Sequence, residues 1–408
     1  MYYAEKGLSL SAIQPFNRSV ILTAIHELGT CSRKEISVKT GLDQATVTRA
    51  IGQLIEIGIV EEVGLVAGVR GRRAINLRFS SQRFRIIAVR LKRLSFSTAL
   101  FDLLGQAEKT SEVPIPRDQE PERTFEQIAE LVDFYHRRRD TEIIGIGVAL
   151  PGPFLESDER IILMTESPQW QAFDFVCELR LRYPNTPIFS SHDAKAAALA
   201  VWREVAMELR SSVMLYVMLG QGVGSALVIN NQVFKGSHGF AGELGHTSID
   251  MNGPTCKCGN RGCLELYTST LAIVRKVQEG VRAGRETSLN ANASFDDVIR
   301  AYHAGDNLAL AEVDHVGECI AQSLISCVNL INPDLIVLGE EAVAFGERFL
   351  RIVEAKLEAG ILPSIYSGIA VRMFGTEGDI ALNGSFLNVL QQTVLTKSDE
   401  RWARASAR

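Results

Sequence analysis

One histidine and three cysteines, His246-x9-Cys256-x-Cys258-x4-Cys263, place four soft ligands in a single short stretch. That donor set suits tetrahedral zinc. Gly253, Pro254, Gly259 and Gly262 turn the chain between them so that the sulfurs converge. Four protein ligands leave no open coordination position, so the expected Zn2+ is structural, one per chain, and not a carrier of hydroxide. Carboxylates lie close by: Glu243 and Glu265 flank the cluster, and His192-Asp193 follows the apolar run Pro187-Ile188-Phe189. A carboxylate accepts two hydroxyl hydrogens. Asp193, Glu243 and Glu265 beside a metal-fixed His246 therefore suit the rim of a polyol site.

Two stretches share a strand–turn–strand plan. In Val213–Phe234 the turn is Gly220-Gln221-Gly222-Val223-Gly224-Ser225, where glycines let backbone N–H groups approach a phosphate or a sugar. A tight strand connection needs glycine as well. In the earlier stretch the strands are Arg85–Val89 and Ser97–Asp102, and the turn reads Arg90-Leu91-Lys92-Arg93-Leu94. Side chains of that bulk would obstruct a phosphate cradle. Two such openings imply a duplicated α/β architecture with a cleft between lobes, where ligands of α/β proteins bind.

A second kind of chemistry belongs to the first eighty residues. Val20, Ile21, Ala24, Ile25 and Leu28 recur at helical spacing and stop at Gly29. Ser32-x-x-Glu35 is a capping box opening a helix over 33–40 that ends at Gly41, and Asp43 caps another over 44–56, closed by Gly58. Two helices joined through a glycine turn form a helix-turn-helix. The outward face of the second carries Gln44, Thr46, Thr48, Arg49 and Gln53, side chains that read base edges and phosphates in a major groove. Strands at 59–63 and 74–77 then flank Gly68-Val69-Arg70-Gly71-Arg72-Arg73, a hairpin tip whose Arg70, Arg72 and Arg73 make a DNA-reaching wing. A protein-docking module is the other use of such helices.

The 408 residues, 46% hydrophobic and 22% charged with a net charge of −5, exclude collagen, a disordered scaffold and a polybasic nucleic-acid wrapper. Length alone predicts two to three domains at roughly 150 residues each. Charge is unevenly placed, since residues 1–80 carry 10 Lys/Arg against 7 Asp/Glu and the remainder is acidic. Met1-Tyr2-Tyr3-Ala4-Glu5-Lys6 shows no secretory pattern, and Ser211–Phe234 is too polar to span a membrane. The expected compartment is a reducing cytoplasm. Cys31, Cys177, Cys319 and Cys327 read as core thiols in apolar contexts.

Gly239-Phe240-Ala241-Gly242-Glu243-Leu244-Gly245-His246, followed by Cys256-Lys257-Cys258-Gly259-Asn260-Arg261-Gly262-Cys263-Leu264-Glu265, resembles the motif of the ROK family. That family contains sugar kinases and sugar-responsive transcriptional repressors of the NagC/XylR/Mlc type. The resemblance extends through Gly145–Pro153, His192-Asp193, Gly220–Gly224 and Asn332–Gly339, nearly the whole chain. It implies a two-lobed actin-like, hexokinase-type α/β fold behind the N-terminal winged helix-turn-helix, with His192, Asp193, Glu243, His246 and Glu265 facing a sugar and zinc on His246, Cys256, Cys258 and Cys263. In the family's kinases the residue matching Asp193 is the base that deprotonates the attacking sugar hydroxyl.

Three departures argue against phosphotransfer. The family's phosphate motif, Asp-x-Gly-Gly-Thr, falls on Arg90-Leu91-Lys92-Arg93-Leu94; the kinase Asn-Asp pair is His192-Asp193; and Gly339-Glu340-Glu341 puts carboxylates where an adenosine would lie. Asp193 is then a vestigial base and the chain is not an enzyme. The expected division is a DNA-binding domain at 1–80, a first lobe at 81–200, and a second lobe at 201–408 with the zinc segment and dimerisation helices. The expected function is a sugar-responsive, DNA-binding repressor of carbohydrate metabolism or transport. Its expected partners are operator DNA, a sugar or sugar-phosphate effector, and a second copy as homodimer or dimer of dimers. Ala311–Leu330, with Val316, Ile320, Leu324 and Val328, is the candidate dimer helix, or else a plain core helix. Two alternatives remain open here: an ATP-dependent sugar kinase with an accessory DNA-binding domain, and a regulator sequestered by a transporter subunit.

Overall fold

The computed structural model describes residues 10–66, 74–138, 140–164, 168–209, 212–376 and 378–396. Its N-terminal unit starts with α1 (Leu10–Leu28), which buries Ile21, Leu22, Ala24 and Ile25. A two-residue strand, β1 (Cys31–Ser32), leads into α2 (Arg33–Thr40). The Ser32 hydroxyl accepts from Glu35 N at 3.3 Å while the Glu35 carboxylate accepts from Ser32 N at 2.8 Å, so both ends of the capping box close. Gly41 ends α2 with φ near 72°, a left-handed turn that favours glycine. Asp43 then accepts from Thr46 N at 2.9 Å and starts α3 (Gln44–Ile57), whose inner face is Val47, Ala50, Ile51 and Leu54. The wing strands are β2 (Val60–Val66) and β3 (Ala74–Phe79). β1 pairs with the free edge of β3, giving the antiparallel order β1-β3-β2. The hairpin tip with Arg70, Arg72 and Arg73 lies outside the described residues.

Two five-stranded sheets follow. The first is built from β4 (Phe84–Leu91), β5 (Ser95–Phe101) and β6 (Ala107–Pro114), then, after α4 (Pro121–His136), β7 (Glu142–Leu150). A small hairpin of β8 (Phe154–Leu155) and β9 (Arg160–Ile161) precedes α5 (Phe175–Arg182), β10 (Ile188–His192) and α6 (Asp193–Leu209). The second sheet uses β11 (Val213–Leu219), β12 (Val223–Ile229) and β13 (Gln232–Val233). The zinc-motif loop and α7 (Glu265–Thr268), α8 (Thr270–Arg282), α9 (Phe295–His303) and α10 (Asn307–Ile331) come next. The chain then forms β14 (Leu335–Glu340), α11 (Ala342–Gly360), α12 (Pro363–Tyr366), β15 (Ala370–Phe374) and α13 (Ile380–Leu390).

The strand orders are β6-β5-β4-β7-β10 and β13-β12-β11-β14-β15. In chain order within each sheet these are the same 3-2-1-4-5 arrangement, so the two lobes are copies of one plan. The central strands β4 and β11 are buried almost throughout because both faces are covered, and Arg85 and Arg90 are the charged residues of β4. In β11, Leu215, Val217 and Leu219 enter the core under α8, α10 and α11, while Met214, Tyr216 and Met218 enter the core between the lobes.

That inner core is layered by an exchange of helices. α6, which closes the first half of the chain, lies on β11 and β12 of the second sheet, whereas α13 returns to lie on β4 and β7 of the first. A cut at residue 200 therefore misses the C-terminal helix, which packs with the first lobe. α6 and α13 also lie against each other, closely enough that a Cβ on Gly384 would stand 1.7 Å from the Ala196 carbonyl oxygen. Only glycine allows two backbones to approach this way. One apolar cluster runs from Ile21, Leu22 and Ile25 of α1 through Trp202 of α6 to Leu390, Val394 and Leu395 at the C-terminus.

Two expectations need correction. Val316, Ile320, Leu324 and Val328 of α10 are fully buried in the chain's own second-lobe core, so this face is not free to form a dimer. Cys177 is exposed on α5, while Cys31 and Cys319 are buried and Cys327 is half-buried. Among the described residues no helix is long and apolar enough to cross a membrane.

Candidate functional site

The cleft between the lobes is lined by Arg90, which the structure places in β4 and not in the turn, by Lys92 and Arg93 of the turn itself, by Gly220 to Gly224 from the second, and by His192, Asp193, Glu243, His246, Glu265, Glu340 and Glu341. All five expected sugar contacts thus meet in one place. Asp193 heads α6 directly after β10, its Oδ1 accepting from Ala194 N at 2.8 Å. His192 is buried beneath Gly152 with Nε2 3.6 Å from Asp193 Oδ1, and its Nδ1 finds no partner among the described residues. Glu243 and His246 flank a short helical turn, both half-buried.

His246 also belongs to the metal motif. His246, Cys256, Cys258 and Cys263 place their ligand atoms within 4.8 Å of one another. Cys258 and Cys263 sulfurs are 3.6 Å apart, and His246 Nδ1 is 3.8 Å from Cys256 Sγ. Zn–S bonds of about 2.3 Å in a tetrahedron separate sulfurs by about 3.8 Å, so the four residues fit a zinc ion. The loop is held from outside the cluster: Asn260 Nδ2 donates to the His246 carbonyl at 3.0 Å and Arg261 Nη1 to the Gly253 carbonyl at 2.9 Å. Such bonds fix the ligands in place.

The arginines that stand in the first lobe's strand–turn have partners across the cleft. Arg90, 4% exposed, donates from Nη1 to Glu340 at 2.9 Å and Asp379 at 2.8 Å, and its Nη2 lies 3.5 Å from Asp193 Oδ2. Burial opposes the arginine's charge, but the carboxylates of Asp379, Glu340 and Asp193 outweigh it and hold its pKa well above the ordinary value. Burial likewise opposes ionisation of Asp379, and Arg90 and Lys92 keep it below the usual carboxylate range. Arg93 crosses the cleft to both oxygens of Glu265, at 3.1 and 3.2 Å, and to the Gln221 carbonyl at 3.0 Å. Glu265 also accepts from Val223 N at 3.0 Å. Glu265, in the cleft lining as expected, is thus engaged by Arg93 and the glycine turn. Glu340 and Glu341 border a second cavity of about 410 Å³ with Lys92, Thr376 and Asp379. Burial and the neighbouring Glu340 push Glu341 up to about 7.

On the N-terminal unit, Gln44, Thr48 and Arg49 are exposed along α3. The Thr46 hydroxyl donates to Asp43 Oδ2 at 2.7 Å and so completes the cap. Gln53 accepts from Arg18 of α1 at 2.7 Å. Sequence reasoning missed the partners of Arg90 and a second bridge, where Lys195 of α6 meets Glu156 at 3.0 Å. Glu156 also meets Lys235 at 2.9 Å. An Arg in place of an acidic residue and two lysines near loop glycines were the only cues.

Residues 86–365 match the ROK family. The chain belongs to the ROK family. Residues 17–62 match the MarR family, which covers α1 to α3 of this ROK chain. The chain is 29% identical over 370 residues to the DNA-binding transcriptional dual regulator NagC of Escherichia coli strain K12, spanning 89% of each. It is 28% identical over 334 residues to the xylose repressor of Bacillus subtilis strain 168, spanning 81% of this chain and 83% of the repressor. In fold it is similar to the crystal structure of a ROK family transcriptional regulator described as a homologue of the E. coli MLC protein, at 24% identity, 94% and 98% coverage and a TM-score of 0.77. The ROK hexokinase of Thermus thermophilus matches at 23% identity, 79% and 100% coverage and a TM-score of 0.59.

Proposed function

We propose that this ROK-family chain is a sugar-responsive, DNA-binding transcriptional regulator of carbohydrate metabolism or transport, repressor in type, whose kinase-derived body binds an effector without phosphorylating it. The observation that carries the reading is a capped α3 with Gln44, Thr48 and Arg49 exposed, joined through one apolar core to a body whose phosphate turn is filled by Arg90. NagC and the xylose repressor, similar to this chain over 89% and 81% of its length, are named as a DNA-binding transcriptional regulator and a repressor.

In this reading α3 enters a major groove, Gln44, Thr48 and Arg49 contact bases, and Arg70, Arg72 and Arg73 reach phosphates or the minor groove. A homodimer supplies two such helices for half-sites about one helical turn apart, and a dimer of dimers extends the same logic. A sugar or sugar phosphate lies against Asp193, Glu243 and His246, with His192 and Glu265 behind. Asp193 accepts a hydroxyl proton in a hydrogen bond but faces Arg90 where a kinase holds phosphate, so its base chemistry has no second substrate. His246, Cys256, Cys258 and Cys263 hold one structural Zn2+, which ties His246 to the zinc loop and closes that side of the site.

Operator selection from a random duplex library, followed by anisotropy titration, tests the reading. Arg49→Ala should weaken the selected duplex by about 1–3 kcal/mol and scrambled DNA far less. No enrichment of any sequence by the wild-type protein would refute DNA regulation. Added N-acetylglucosamine, D-xylose or D-glucose, free or 6-phosphorylated, should shift operator affinity. Operator binding that ignores all of them would favour a protein effector such as a transporter subunit. Metal analysis should return one zinc per chain.

A further inference from the structure

The clasp around Arg90 has a position that its chemistry alone does not explain. It ties together the heads of two helices: Asp193 is the first residue of α6, and Asp379 is the N-cap of α13, accepting from Ala381 N at 3.1 Å. The third partner, Glu340, ends β14 in the opposite lobe. From that shared head the helices run side by side, with Gly384 against the Ala196 backbone. Both reach the DNA-binding unit. Arg203 of α6 donates from Nη2 to the His26 carbonyl in the last turn of α1, at 3.3 Å. The segment after α13 brings the Leu395 carbonyl to the Ser19 hydroxyl of α1. Val394 and Leu395 share one core with Ile21, Leu22 and Ile25.

Arg90 and Arg93 pin the walls of this cleft across it, Arg90 to Glu340 and Arg93 to Glu265. Any sugar hydroxyl that takes Asp193 also draws on the same carboxylate as Arg90. Two close-packed helices cannot absorb such a change by compressing, because packed interiors shift between discrete arrangements.

We propose that Arg90 is the positioning residue through which cleft occupancy reaches the DNA-binding unit: it holds the heads of α6 and α13 in one register, and releasing it shifts the pair against α1. This rests on the reading of the chain as a DNA-binding regulator with a ligand in the cleft. The device is a coupling between two sites carried by a two-state element, so breaking the clasp should mimic the ligand in its absence.

The test is a double-mutant cycle on the full-length protein with its selected duplex and no sugar present. Arg90→Met should change operator affinity at least tenfold. In a background of Arg203→Ala with Ser19→Ala, which removes the two far hydrogen bonds, the same substitution should change it less than threefold. Arg90→Lys should restore most of the wild-type affinity. If Arg90→Met does not fold, Asp379→Asn replaces it in the cycle with the same expectation. A change of less than twofold in the first variant, or the same change in both backgrounds, would overturn the proposal while leaving operator binding by the wild type intact. Failure of the wild type to select any duplex would instead remove the reading beneath it.

Discussion

The two lobes open with the same strand–turn–strand unit, and their turns do opposite things. Between β11 and β12, Gly220 and Gly222 keep the turn flat against the cleft, and a Cβ on Gly222 would come within 2.6 Å of Arg93 and 2.7 Å of Glu265. At the corresponding place in the first lobe, Arg90 near the end of β4 and Arg93 in the turn before β5 reach into the acidic groups of the other lobe. One turn accommodates and the other fills. Identical topology thus supports a turn that leaves room for side chains of the other lobe or one that supplies them, and the choice lies in whether it carries Cβ atoms and charge.

Emptying the filled turn should have the largest effect. Arg90→Met leaves Asp193 and Glu340 without their arginine and Asp379 with Lys92 alone, and should cost about 3–5 kcal/mol of stability, read as a lowered denaturation midpoint. A variant as stable as wild type would mean that the clasp is replaceable by packing alone. Filling the empty turn comes next. Gly222→Val forces its side chain into the Arg93–Glu265 pair and should cost about 2 kcal/mol, as overpacking does. An unchanged midpoint would show that the pair has room to move. The smallest effect concerns Glu341. Its folded-state pKa, raised to about 7 from an ordinary carboxylate value near 4.5, means that the folded chain holds a proton the unfolded chain has lost. Stability should therefore fall as pH rises from about 4.5 to 7, and Glu341→Gln should recover about 2 kcal/mol at neutral pH and nothing below pH 4.5. Equal gains at both ends of that range would assign the effect to packing.

What the sequence made legible was local. Ser32 with Glu35 and Asp43 with Thr46 are i, i+3 relations that carry their geometry with them, and the metal motif brings four ligands together within 18 residues of chain. The arginine-rich turn was visible as a loss of glycine, because that needs no knowledge of anything distant. Its gain was invisible: Arg90 finds Asp193, Glu340 and Asp379 at separations of 103, 250 and 289 residues. The exchanged helices escaped for the same reason, since nothing local tells α13 to return to the first sheet. On α10, periodicity showed an apolar face but not which surface covers it, and α8 and α11 do. Thr46 has a side chain suited to DNA, and the nearer acceptor at Asp43 took it.

The central claim is that a filled first turn leaves a body that binds without phosphorylating. Coupled detection of ADP from purified protein, ATP, Mg2+ and the sugars named above tests it most directly. The account predicts no sugar-dependent ADP above the no-sugar background, with Asp193→Asn indistinguishable from wild type. Sugar-dependent ADP release that disappears in Asp193→Asn would contradict it.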